Sequence, residues 1–294
     1  MLRLIERPHH HPVLRIPAAT RAIVSWNAQA PSGALALIAH RVDGSVSEPL
    51  LYVRWSPTER RSLDGTDRKT RIATDVVRSD VPLSGLGVAT TANLDAIAVA
   101  VPPPPDASAP LRGRIAALDV PPLHQNVHTH PEAHGRWCSA AALAMLLRYH
   151  GVDADVAGVA RSVEDAAYGG TGNWTFNVAY AGTRGLRGVV AYLRGIDHVA
   201  TFLAAGLPVA ISIAWEPGQL PGAPLERSDG HLIVVRGFES HAVLVHDPAQ
   251  RGVATRYPRA ALDHAFRGHG GVAYLVAPRE RSTELVVLTN DPAA

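Results

Sequence analysis

The chain has 294 residues, 47% of them apolar and 18% charged, with a formal net charge of +2. That balance belongs to globular proteins and is enough for two ordinary domains. The 28 basic residues are mostly Arg and scattered, without the clustered stripe that nucleic-acid binding requires, so no nucleic-acid partner is expected.

Residues Met1 to Thr20 contain arginines and the His9–His11 run but no apolar stretch of a secretory signal. His9–His11 reads as a polar terminus rather than a metal tract. No segment approaches the roughly 20 uncharged apolar residues of a membrane span. A soluble chain is expected, either cytoplasmic or secreted with its leader absent, and the residues do not separate the two. With 23 prolines and 25 glycines, short strands and turns are favoured over long helices. Apolar, β-branched runs recur at Ala22–Trp26, Ala34–Ala39, Leu50–Trp55, Thr70–Thr74 and Ala96–Val101. Turn signals such as Pro31-Ser32-Gly33, Asp43-Gly44 and Asp64-Gly65 separate them, which predicts an antiparallel β-sandwich. No paired carboxylates, nucleophile elbow or metal cluster accompany these strands. They read as a packing or binding module with a glycan or protein as its ligand.

Pro102 to Pro105 mark the boundary, because consecutive prolines favour an extended segment and cannot sit inside a helix or central strand. The division expected is a β-sandwich over 1–112, with the Pro-rich linker at 101–110, and an α+β domain over 113–294. In the second part Ser139 to Tyr149 predicts a helix, with Leu143, Leu146 and Leu147 as one buried stripe and Gly151 as the stop. Further helices are expected at Asp155–Glu164 and Asp197–Ala205. Strands are expected at Val209–Ala214, Leu232–Phe238, Ala242–His246 and Val272–Val276.

Cys138 is the single cysteine, so no intrachain disulfide can form. A lone thiol is usually a small buried hydrophobe. This one directly precedes a helix, where unpaired N–H groups and the positive dipole end favour a thiolate. A nucleophilic thiolate needs an imidazole to pair with it. Among 15 histidines the best placed is His231, in Asp229-Gly230-His231-Leu232-Ile233, at the mouth of a predicted strand. Alone it reads equally as a surface histidine that opens a strand. If Leu232–Phe238 and Ala242–His246 pair as a hairpin turning at Glu239-Ser240-His241, Asp247 comes level with His231 and can hold its ring. Asp247-Pro248 is also a common turn opening.

Taken together, Trp137-Cys138-Ser139-Ala140-Ala141-Ala142, Gly230-His231-Leu232-Ile233-Val234-Val235 and Val245-His246-Asp247-Pro248 resemble the C39-like peptidase domain of the papain-like group. The resemblance extends over Leu118 to Val276 and includes Pro121-Pro122-Leu123-His124-Gln125, Gly172-Asn173-Trp174 and Gly206-Leu207-Pro208. One departure is Ala140, where a proline often follows the Cys-Ser pair. The resemblance implies an α+β papain-like fold and amide hydrolysis of a peptide or protein. It assigns Cys138 as nucleophile, His231 as base, Asp247 as orienting group and Gln125 as an oxyanion donor. Trp137, Asn173 and Trp174 are the candidate substrate-contacting residues. No cofactor or metal is implied. The N-terminal half loosely resembles the β-rich region preceding this domain in some bacterial members, through Trp55, the run Ser62 to Asp67 and Thr74-Asp75.

Two other readings stand beside this one. The papain-like domain is a catalytically idle scaffold for the binding module, or the same triad transfers the acyl group to an amine, as transglutaminase-like relatives do. His124, His128, His130 and His134 share one polar stretch, but no H-E-x-x-H pattern is present and a loop beside the cleft is the simpler reading. His246 neighbours Asp247, and strand alternation turns it away from the site.

Overall fold

The computed structural model describes residues 1–9, 11–104 and 114–291. The predicted boundary at 112/113 and most of the linker lie outside the described residues, as does the middle of the His9–His11 run. The first half contains β1 (Leu2–Glu6), β2 (Val13–Asn27), β3 (Gly33–Arg41), β4 (Leu50–Trp55), β5 (Arg60–Ser62), β6 (Thr70–Ala73), β7 (Val76–Thr90) and β8 (Ala96–Ala100). The β-rich antiparallel region is there, and its strands join into one sheet in the order β1-β8-β2-β7-β3-β4-β5, with β6 paired to β7. Strands β2 and β7 are each 15 residues long and pair through register shifts near Ala19. Such irregularities sharpen the local twist of a long ribbon.

Alternation along these strands builds two different faces. Val24, Trp26, Ile97 and Val99 belong to the sheet's own core, together with Tyr52 and Leu86. Ile23, Ala98 and Ala100 instead join the core of the second half. Small side chains on that face allow close approach. Gly182 shows how close: a Cβ there would come within 2.6 Å of the Asn27 Cβ.

The second half contains α1 (Cys138–Tyr149), α2 (Val156–Val163), α3 (Trp174–Thr183), β9 (Leu186–Tyr192), α4 (Ile196–Ala204), β10 (Val209–Trp215), β11 (Ser228–Phe238), β12 (Ala242–His246), β13 (Ala254–Pro258), α5 (Arg259–Gly268), β14 (Val272–Pro278) and α6 (Ser282–Asn290). Its antiparallel sheet runs β13-β12-β11-β10-β14-β9. This is the α+β arrangement expected. Helix α1 departs from expectation in one respect. Instead of burying a single stripe, it is buried continuously from Ser139 to Leu147, because it packs against β10, β11, α2 and α3 at once. Ala140, Ala141, Ala142 and Ala144 make that possible by occupying little volume.

The halves meet through buried polar contacts as well as apolar ones. The Asn27 side-chain NH2 donates to the Gly188 carbonyl at 3.0 Å, and Arg187 donates to the Asn27 side-chain oxygen at 2.9 Å. The Ser62 N–H donates to Asp165 at 3.0 Å. Among the described residues no helix is long and apolar enough to cross a membrane.

Candidate active site

Helix α1 begins at Cys138, and its N-cap residue Trp137 supplies no side-chain hydrogen bond. The free N–H groups of the first turn are therefore left to act on whatever sits at the helix start. The Cys138 thiol is half-buried at this helix start, where His231 and the backbone N–H groups of Leu232 and Ser139 favour its ionised form. His231 is carried by β11, whose residue pairs with Ile213 of β10, so the ring rests on the centre of the sheet. Its Nε2 lies 2.7 Å from Asp247 Oδ1, leaving the other ring nitrogen for the thiol. The Trp215 ring stands edge-on to the imidazole with centroids 5.9 Å apart.

The β11–β12 hairpin turns where the sequence places it, but with a shifted register. Val234 faces His246, and a bulge lies between Val235 and Gly237. Extending that register puts Asp247 opposite Ile233. His231 is thus its diagonal neighbour on the same sheet face, a separation that a long imidazole spans. Asp247 is fully buried, and its acceptors are all used. Oδ1 also accepts the Ala249 N–H at 2.9 Å, and Oδ2 accepts the Tyr257 hydroxyl at 2.6 Å.

Cys138 opens into a cleft of about 690 Å³. One wall is the loop Tyr168–Gly172, held to α1 by the Ser139 hydroxyl, which reaches the Thr171 carbonyl at 2.7 Å. Trp174 lines the cleft and packs edge-on against His269, itself bonded through Nδ1 to Ser212 at 2.9 Å. Asn173 is elsewhere. It is fully buried as the N-cap of α3, its oxygen accepting the N–H groups of Thr175 and Phe176 and its NH2 donating to Asp165 at 2.9 Å. Trp137 is half-buried, with its ring 5.3 Å from that of His130. Gln125 is buried; its backbone N–H donates to the Pro248 carbonyl at 2.9 Å, beside the His231–Asp247 pair, and its side-chain oxygen has no hydrogen-bond partner. His130 bonds to Glu132, and among the described residues no group of three or more His, Cys, Asp or Glu side chains could hold a metal ion.

Residues 117–274 match the model of the Peptidase_C39 like family. The chain belongs to that family. Three solved structures share the likeness at low identity. A protein described as a C39-like peptidase from Bacillus anthracis is 18% identical, covering 56% of this chain and 98% of its own, with a TM-score of 0.43. A double glycine motif protease from an AMS/PCAT transporter, solved with its leader peptide, is 20% identical, covering 59% of this chain and 99% of its own, with a TM-score of 0.38. The peptidase domain of Streptococcus ComA is 18% identical, covering 54% of this chain and 98% of its own, with a TM-score of 0.40. No curated protein matches the chain.

The electrostatics of this C39-like chain follow from who touches whom. Burial pushes the Cys138 thiol up, but the His231 hydrogen bond and charge, aided by two backbone N–H groups, bring it below its ordinary value. For His231 burial favours the neutral ring. Asp247 and then Cys138 overcome this and raise its pKa. Asp247 is driven up by burial and down, more strongly, by His231 and Tyr257. All three directions favour a thiolate beside an imidazolium. His246 behaves oppositely: burial and nearby Arg236 lower it to about 4, so it stays neutral outside the network.

Sequence reasoning missed Tyr257, Trp215 and His269, and it named Asp75 only within the loose N-terminal resemblance, with no place beside Cys138. Each lies on an element whose approach to Cys138 depends on long-range packing. Only Trp215 carried a local signal, as an aromatic at the end of the predicted strand that pairs with the one bearing His231.

Proposed function

We propose that this chain is a cysteine peptidase working through an acyl-enzyme on Cys138. The carrying observation is the His231 ring held 2.7 Å from the fully buried Asp247 carboxylate, with His231 lowering the pKa of the Cys138 thiol at the start of α1. The Cys138 sulfur attacks the scissile carbonyl carbon, and negative charge moves to the carbonyl oxygen. The Gln125 amide and a backbone N–H at the start of α1 receive that oxyanion. As the C–N bond breaks, imidazolium His231 gives its proton to the leaving amine. Neutral His231 then takes a proton from water, whose oxygen attacks the thioester, and the carboxylic acid leaves as the C–S bond breaks and the Cys138 thiolate is restored beside imidazolium His231. Asp247 keeps Nε2 protonated throughout, so the other nitrogen is always the one that exchanges a proton with sulfur, amine or water.

The deciding experiment is digestion of a peptide library by the wild type and by Cys138→Ala, read by mass spectrometry. New termini with the wild type alone support the reading. Equal cleavage by both proteins would sink it.

A further inference from the structure

The cleft around Cys138 is not built by the family domain alone. Ala73, Thr74 and Asp75, at the turn between β6 and β7 of the first sheet, line it together with the glycine-rich loop 169–172. These three residues precede the segment matched by the family model by more than forty positions. Several contacts hold the turn in place. The Asp75 carboxylate is buried and its Oδ2 accepts the Trp174 N–H, the first of α3, at 2.8 Å. Tyr52 and Asp64 touch the turn from behind: the Tyr52 hydroxyl reaches the Asp75 carbonyl at 3.4 Å and Asp64 accepts the Thr74 N–H at 3.3 Å. The neighbouring β5 is tied to the chain leading into that loop: the Ser62 N–H donates to Asp165, whose own N–H donates to the Gly170 carbonyl at 2.9 Å.

Thr74 has φ of +57°, a conformation that a β-branched residue adopts only under strain. Its backbone is held there by partners on both sides, while its side chain is half-exposed to the cleft. Ala73 is exposed on the same stretch. A strained, well-anchored turn with small side chains, facing a nucleophile across a cleft, is the arrangement of a selecting wall rather than of a spacer.

We infer that the β6–β7 turn of the N-terminal sheet is the second wall of the substrate cleft, and that Ala73 and Thr74 set how bulky an extended peptide segment can lie against Cys138. The peptidase reading supplies the nature of the substrate. The wall itself is a statement about access to the thiol and can be measured without hydrolysis. Asp75 serves as a positioning residue, fixing the turn to the start of α3 and with it Trp174.

The test is alkylation of the single thiol in the full chain by a small probe, iodoacetamide, and a bulky one, fluorescein-5-maleimide, followed by intact mass. Ala73→Trp should slow the bulky probe by about tenfold or more while iodoacetamide changes by less than about twofold. Thr74→Gly removes the side chain and relieves the positive φ, so it should fold at least as well and speed the bulky probe. Unchanged ratios of the two rates in both variants, with wild-type melting, would overturn the inference. Equal slowing of both probes would also overturn it, since the thiol itself and not its wall would then have changed. If wild-type Cys138 reacts only as an ordinary thiol, the peptidase reading fails, yet the ratio of probe rates still reports on the wall.

Discussion

Two aspartates are buried near the Cys138 cleft, and their surroundings drive them in opposite directions. Asp247, at the end of β12, accepts from His231, Tyr257 and Ala249, so its carboxyl sits below the usual range despite burial. Asp75, in the turn after β6, has the Trp174 N–H and its own backbone as donors, and feels the charge of Asp165. Burial dominates there and raises it to about 7. Uncompensated burial of a carboxylate costs several kcal/mol in general, so the number and charge of donors decide the outcome. The second sheet spends its donors on keeping a charge. The first spends few and keeps a carboxyl that is half-neutral near physiological pH.

Substitutions separate the two carboxyl environments from the proposed chemistry, and the largest effect is expected at Cys138. Cys138→Ala should abolish hydrolysis, a loss of at least about 10⁴-fold. Next comes His231→Ala. An ordinary thiol is below about 1% ionised at pH 6, so alkylation of Cys138 there should slow by about 10²-fold once the imidazolium is gone. An unchanged rate at pH 6 would mean that His231 does not hold the thiolate. In the wild type, alkylation and hydrolysis should both fall at acid pH as the lowered Cys138 thiol is protonated. Hydrolysis alone should fall again at alkaline pH, as His231 loses its proton; a hydrolysis profile that rises steadily with pH would contradict the pair.

Asp247→Asn should lower kcat by about 10²-fold, less than loss of either partner, because the ring keeps its place but loses its charge support. Tyr257→Phe leaves one Asp247 oxygen without its donor and should lower stability by about 1–2 kcal/mol, measured by chemical denaturation. It should also move the acid limb of Asp247-dependent stability upward. Asp247 has a lowered folded pKa, so its contribution is present above its unfolded value and lost as pH falls.

The smallest effect sharpens the contrast most. Asp75 has a raised folded pKa, so the wild type is favoured at low pH and loses that contribution as pH rises from about 4 through about 7. Asp75→Asn keeps an acceptor for Trp174 without a charge to bury. It should therefore melt a few degrees above wild type at pH 8, with the gap shrinking as pH falls and closing near pH 4. Identical melting at pH 8 would show that burial of the Asp75 carboxylate does not cost stability at that pH.

Much of the candidate site was legible because its members lie on strong local patterns. Cys138 precedes an alanine- and leucine-rich helix, and His231 and Asp247 bracket two apolar runs joined by a short turn. Elements without such patterns escaped. Strand β7 contains Pro82, Gly85 and Gly87, which read as breaks, yet its neighbours β2 and β3 hold it in place. Helix α3, with its β-branched and aromatic residues, has weak helical propensity and is decided by the Asn173 cap and the Asp75 contact. Asn173 was singled out as a substrate contact, and its neighbour Trp174 is the one that reaches the cleft.

By itself the sequence determined the class of fold, the helix that presents Cys138 and the hairpin that brings His231 towards Asp247, because periodicity and turn chemistry act over a few residues. Only the tertiary structure decided the diagonal register of that hairpin, the Tyr257 hydroxyl behind Asp247 and the turn of the first sheet that walls the cleft. Each depends on residues far apart in the chain meeting as the two sheets bury their facing sides, and no local pattern encodes which distant side chain arrives there.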